Sequence, residues 1–267
     1  MAALADVVLI SETSSARLLG QAARQLGRVV RAILMVDVGD LREGVWPDRA
    51  VGVAQALAGM AGIDLVGLGT NLACFGGVIP DAENMATLLG VVDAVEERLG
   101  RKVRVVSGGN SANLNFFLEG SHPEGVNNLR IGEGILLGRE AVTHRPVPGV
   151  YRDAFTLIAE VVEEAEKPTV PLGRIGRDAF GGVPSFVDRG MRRRAVLAAG
   201  RQDLAWDAIF PRAPGAIVLG ASSDHLLVDV TDTQESWPPG REMAFDLGYA
   251  ALLQAMTSPY VDKRHAG

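Results

Sequence analysis

The sequence predicts an α/β protein in two parts, with βα repeats over 1–145 and a mostly β region over 150–267. Three observations predict it. Short, near-continuous apolar runs alternate with helix-period segments up to about residue 131, the pattern of a parallel sheet buried on both faces. Prolines and a glycine then gather in His144-Arg145-Pro146-Val147-Pro148-Gly149, a linker-like stretch. Beyond it, β-type segments are separated by turns such as Gly181-Gly182-Val183-Pro184 and Pro238-Pro239-Gly240.

In the first part, Ala5 to Ile10 reads as a strand, and the polar start Ser11-Glu12 opens a helical pattern through Leu26. The alternation continues with a strand over Val29 to Val36, a helix from about Asp48 to Met60, a strand over Ile63 to Leu68 and a helix over Ala82 to Leu99. A strand at Val103 to Val106 leads through Ser107-Gly108-Gly109-Asn110-Ser111 into a helix over Ala112 to Leu118, and Asn127 to Ile131 is predicted as one more strand. That makes about five strands, whereas a closed (β/α)8 barrel needs eight. On periodicity alone an open doubly wound sheet stands beside the barrel as an alternative. The second part is predicted to hold strands at Phe155 to Val162, Arg194 to Ala199, Ala216 to Leu219, Leu226 to Val230 and Glu242 to Phe245.

The 267 residues carry 48% hydrophobic and 22% charged residues, which suits a globular chain with a sizeable core. A net charge of −6 argues against nucleic acid or an anionic membrane as partner, because counterion release needs clustered basic residues. The one basic run, Arg192-Arg193-Arg194, is read as a solvated face. No stretch approaches the roughly 20 apolar residues of a membrane span, and Met1 to Ser11 has no signal-peptide pattern. Cys74 is the single cysteine, so no intrachain disulfide forms and a reducing, cytoplasmic setting is expected.

Candidate chemistry collects where predicted strands end. In Ser107-Gly108-Gly109-Asn110-Ser111 the glycines admit close backbone approach, the helix start favours an anion such as phosphate, and Ser111 adds a hydroxyl donor. An ordinary capped βα turn fits the same residues. Arg130, at the end of an apolar run, needs an acceptor, either a ligand or a structural carboxylate such as Glu133. Asp37, Asp40, Arg42 and Glu43 crowd a third strand end, and Asn71 and Cys74 a fourth. No histidine lies near Cys74, so it is read as packing. Ser222, Asp224 and His225 do not make a triad by adjacency, and the four histidines lack metal-ligand spacing.

Together these segments resemble the alanine/ornithine racemase family of pyridoxal phosphate (PLP) enzymes, most closely its ornithine racemase branch. The carrying blocks are LMVDVGDLREG (34–44), GLGTNLACFGGVIP (67–80), VSGGNSANL (106–114), NNLRIGEGILLG (127–138), IGRDAFG (175–181), LGASSDHLLVDVTD (219–232) and MTSPYVDK (256–263). Their fixed order is far more specific than any one block. The resemblance implies a partial (β/α)8 TIM-type barrel, with the N-terminal βα units and the PLP lysine missing, followed by a C-terminal mostly β domain. It implies interconversion of L- and D-amino acids, by a chain expected to be inactive in this truncated form, and a homodimer in which the partner's β domain completes each site.

By motif, Ser111, Asn110, Gly132, Asn71 and Tyr260 would bind PLP. Arg130 would face its pyridine nitrogen, keeping it unprotonated and suppressing side reactions. Arg42 would take the substrate carboxylate. Racemisation needs a base on each face of Cα. The block Ile175-Gly176-Arg177-Asp178 has no tyrosine where alanine racemases place the second base, so Asp178 and Asp224 are the candidates. The first base in the family is the Schiff-base lysine of the first barrel strand, and the chain has only Lys102, Lys167 and Lys263, none ending an early strand. Missing strands and missing lysine point to one absent N-terminal region, and an open barrel is expected to fold poorly alone. A non-catalytic PLP or phosphate-ligand protein, and a subunit completed by a separate chain, are the alternatives.

Overall fold

The computed structural model describes residues 1–265, and the chain divides into two compact units, Met1–Val150 and Tyr151–Gly267. In the first, β1 (Val7–Ile10), β2 (Val30–Met35), β3 (Ile63–Gly69) and β4 (Val105–Ser107) form one parallel sheet in the order β1-β2-β3-β4. The crossovers are α1 (Thr13–Gln25), α2 (Pro47–Ala58) and α3 (Ala82–Leu99). Consecutive order leaves no reversal of strand sequence, so the doubly wound alternative is not what these strands build. The helices also share one face. Ala16, Ala23, Ala54, Leu57, Leu88 and Val95 pack with Ala32, Leu34 and Leu65, whereas a small cluster of Ile33, Met35 and Val66 receives no helix residue.

Local chemistry accounts for the helix limits. Pro47 occupies the first turn of α2, where its missing N–H costs nothing. Asp81 caps α3 by accepting from the Glu83 and Asn84 amides at 2.9 Å each, while Asn84 returns a bond to the Asp81 amide. Gly67 lets β3 approach β4, since a Cβ there would stand 2.1 Å from the Val105 carbonyl oxygen.

Two expectations are corrected here. Asn127 to Ile131 is not a fifth strand: it makes a single parallel bridge, Ser107↔Asn128. The asparagine side chains replace part of the ladder, with Asn127 Oδ1 accepting from the Val106 amide at 2.9 Å and Asn128 Oδ1 accepting from the Ser107 hydroxyl at 2.5 Å. The helix expected over Ala112 to Leu118 is a 3₁₀ turn, Ser111–Asn113, followed by the short α4 (Leu114–Leu118); α5 (Glu133–Leu137) follows later.

The second unit is a six-stranded antiparallel sheet of order β7-β10-β5-β6-β9-β8. Its strands are β5 (Leu157–Pro168), β6 (Met191–Leu197), β7 (Ile209–Pro211), β8 (Ile217–Ala221), β9 (Leu226–Asp229) and β10 (Glu242–Leu247), and α6 (Tyr249–Thr257) follows. β7 and α6 are additions to the predicted elements. The basic run is not a solvated face: Arg192 pairs with Asp229 at 2.9 Å and Asp232 at 2.5 Å, and Arg193 pairs with Glu164 at 3.1 Å. On the part of β5 beyond Val162, the Arg193–Glu164 pair joins β5 to β6. No described helix is long and apolar enough to cross a membrane.

Candidate active site

Carboxyl ends of β2, β3 and β4 gather the polar residues of the first unit, as parallel sheets do with their ligand-facing loops. Asp40, which is buried, accepts from the Cys74 amide at 3.2 Å and the Phe75 amide at 2.9 Å, so the loop after β2 holds the loop after β3. Asp37 turns its own loop by accepting from the Gly39 and Leu41 amides at 2.8 and 3.2 Å. Two of the four charges at this strand end are therefore spent on backbone. Cys74, expected to pack, is instead exposed, in a loop whose backbone amides are pinned by Asp40.

Asn110 links the next two loops. Its Oδ1 accepts from the Ala112 amide at 2.7 Å, and its Nδ2 donates to Asn71 Oδ1 at 2.7 Å, the Leu72 carbonyl at 2.8 Å and Cys74 Sγ at 3.2 Å. Gly109 precedes it at φ +145°, a conformation that L side chains rarely adopt. Ser111, also buried, accepts from the Gly132 amide at 3.2 Å and the Gly134 amide at 3.0 Å. Its hydroxyl proton has no acceptor among the described residues and is free to be donated.

Arg130 does not pair with Glu133, which is taken by Arg139 at 3.1 Å. Its guanidinium donates to Ser107 Oγ at 2.6 Å, the Thr70 carbonyl at 2.8 Å and Asn71 Oδ1 at 3.2 Å, all neutral acceptors. Burial lowers its pKa, Glu43 opposes that and Arg42 adds to it, so the charges of the loop after β2 act on it. Arg42 is bonded to Glu43, with one guanidinium nitrogen 2.6 Å from Oε1, and this hydrogen bond raises its pKa. Sequence reading missed Thr70 and Ser107 as supports of Arg130. The available signal was a polar residue closing or following an otherwise apolar strand.

The alanine racemase N-terminal domain family matches residues 1–140. A lysine racemase of Thermotoga maritima is 43% identical over 258 residues, spanning 97% of this chain and 72% of that protein. The chain belongs to the alanine racemase family. An ornithine racemase of Acetoanaerobium sticklandii is 41% identical over 261 residues, 97% of this chain and 74% of its own length. Among solved structures, an alanine racemase of Bartonella henselae with covalently bound pyridoxal phosphate shares the fold at a TM-score of 0.58 and 18% identity. The match covers 94% of this chain and 67% of that one.

PLP, the cofactor this family implies, fits the residues present. It needs donors for a phosphate and a partner for the pyridine nitrogen, and the racemase-family chain offers the free Ser111 proton beside the Gly132 amide and a guanidinium with no carboxylate. Thr70 Oγ1 and Asn71 Nδ2 are also buried polar atoms without a protein partner, which a native fold rarely leaves unanswered.

Other predicted residues lie in the second unit of this racemase-family chain. Tyr260 is exposed. Asp178 accepts from the Phe180 and Gly182 amides at 2.9 and 2.8 Å and lines a cavity of that unit. Asp224 sits in the turn between β8 and β9, outside that lining, with its pKa lowered by the Ser223 hydroxyl at 3.0 Å and by His225. Ser222 donates to Asp224 and not to the His225 ring, an order unlike a nucleophilic triad. Lys102 pairs with Glu96 just before β4, at the end of the sheet opposite the cluster, Lys167 pairs with Glu163, and Lys263 donates to the Ser258 carbonyl.

Proposed function

We propose that the chain is a PLP-dependent amino-acid racemase whose substrate is a basic amino acid, ornithine or lysine. The observation that carries this reading is Arg130, a half-buried guanidinium held by neutral acceptors in the same strand-end cluster that holds the Ser111 hydroxyl and the Gly132 amide. Racemase relatives above 40% identity support the substrate class. In the same reading the parallel sheet is a segment of a (β/α)8 barrel and the assembly is a homodimer.

PLP, when bound, supplies an electron sink that makes the Cα proton of an amino acid exchangeable. Ser111 and the Gly132 amide would hold its phosphate, Asn110 and Asn71 would fix the loops around it, and by the family motif alone Tyr260 would add a donor. Arg130, a donor that does not lose its proton, would face the pyridine nitrogen and leave it unprotonated, which would restrain the sink and disfavour transamination. Arg42 takes the substrate carboxylate by exchanging it for Glu43, an exchange that its half-exposed guanidinium permits. Asp178 and Asp224 are the candidates for moving the Cα proton on one face; the family's lysine, which would serve the other, has no counterpart ending an early strand of this chain.

The test is exchange of the Cα proton of L-ornithine and L-lysine for deuterium, with chiral chromatography of the product, in the presence of PLP. Saturable PLP binding and exchange faster than with free PLP at the same concentration are expected; binding without saturation overturns the reading. The placement of the three lysines favours a second reading, a protein that holds PLP or another phosphate ester reversibly without turnover. Saturable binding with no gain in exchange, and no cofactor retained on the chain after borohydride, would select it.

A further inference from the structure

The second unit contains a cavity of about 740 Å³ between the β6-β9-β8 face and the segment 169–189. That size suits a small organic molecule. Three arginines line it, Arg189, Arg194 and Arg201, and none pairs with a carboxylate among the described residues. The contrast along β6 is sharp. Arg192 and Arg193 are each bonded to acids, whereas Arg194 makes no side-chain hydrogen bond among the described residues, and its Nε is shielded from solvent with no acceptor. A guanidinium in that position is costly unless something answers it.

The acids of the cavity do not answer it. Asp229 is bonded to Arg192 at 2.9 Å and to the Thr231 amide at 2.9 Å, and Asp178 is occupied by the two amides of its own loop. The lining therefore carries surplus positive charge. The same lining carries an apolar part: the Phe180 ring lies 3.9 Å from the Arg201 guanidinium, the Trp206 ring lies 5.8 Å from the same group, and Phe186 and Ile217 belong to it.

We propose that this cavity is a binding site for a small organic carboxylate with a flat apolar body. The carboxylate would sit against Arg194, whose planar fork suits two oxygens in one plane, and the body against Phe180 and Trp206. A bare inorganic anion would satisfy the charge and leave the aromatic residues uncovered. Asp178, a candidate of the racemase reading, also lines this cavity, but the carboxylate site is argued from Arg194 and the aromatic residues alone and does not rest on that reading.

The experiment is calorimetric titration of the full chain with benzoate, benzyl alcohol and inorganic phosphate, with amide shifts recorded for Ile217, Val218 and Leu227. Benzoate is expected to saturate one site per chain and to shift those amides, with benzyl alcohol and phosphate at least ~10-fold weaker. Arg194→Met should weaken benzoate at least ~10-fold, the loss of one charge-assisted pair, at an unchanged melting temperature. Phe180→Ala, at a half-exposed position, should weaken it without loss of fold. Should Arg194→Met melt early, Phe180→Ala and the shift map still decide the matter. Benzoate that fails to saturate, phosphate that binds as tightly, or benzoate affinity indifferent to both substitutions overturns the proposal. So does Arg194-dependent self-association without benzoate binding, which would mean that a second copy supplies the acceptor.

Discussion

Removing the Ser111 hydroxyl separates its structural task from its proposed cofactor task. Ser111→Ala strips the acceptor from two amides, Gly132 at 3.2 Å and the buried Gly134 at 3.0 Å. At about 1 kcal/mol for each lost hydrogen bond, the local cost is ~2 kcal/mol, and water cannot readily repair the buried one. The same hydroxyl is the proposed donor to the PLP phosphate, a charge-assisted bond worth about 1.5–3 kcal/mol, or roughly 10- to 100-fold in affinity. Pyridoxal lacks the phosphate and provides the control. The variant should lose about 10- to 100-fold in PLP affinity and almost nothing in pyridoxal affinity, read by absorbance titration of both. Hydrogen exchange over 131–137 reports the structural part. A PLP-over-pyridoxal preference unchanged within about two-fold, while protection of that segment falls, would refute the phosphate role and leave the hydroxyl as a loop clasp.

Two further outcomes follow from the same geometry. Glu140 is buried. Burial tends to raise its pKa, but the Thr143 hydroxyl and the amides of Arg145, Val142 and Thr143 outweigh it, so the net shift is downward. A depressed folded pKa contributes stability that is fully present above the unfolded value, near ~4.3, and is lost as pH falls through the folded one. Urea denaturation should show Glu140→Gln less stable than wild type at pH 7 by about 2 kcal/mol, with the difference closing at more acidic pH; a constant difference would contradict this. Gly109→Ala places a Cβ 2.0 Å from Asn113 Oδ1 at φ +145°, so it should cost at least ~2 kcal/mol and abolish PLP binding, checked by urea midpoint and PLP titration.

Legibility in the sequence followed the range of the interactions. α3 could be read to the residue because both its ends are local: Asp81 caps it and Gly100 ends it in the left-handed region. β2 and β3 were legible as apolar runs, and the ordered motif blocks carried the family. Asn127 to Ile131 looked like a strand because side-chain bonds from Asn127 and Asn128 to β4 leave no trace in an apolar period. Glu140 gave no signal at all, since its value lies in four donors that only the folded loop assembles.

From the sequence alone came the βα succession, the change to β structure after the proline-rich stretch, the polar strand ends and the racemase family, all properties of short-range pattern and residue type. Tertiary structure decided which acceptor each charge meets. Arg130 reaches Thr70 and Asn71 across about 60 residues of chain and leaves Glu133 to Arg139; Asp40 reaches loop amides 34 and 35 residues away; Arg194 is left without a partner while its neighbours are paired. A charge takes whichever partner the packed sheet brings within about 3 Å, and sequence spacing does not encode that distance.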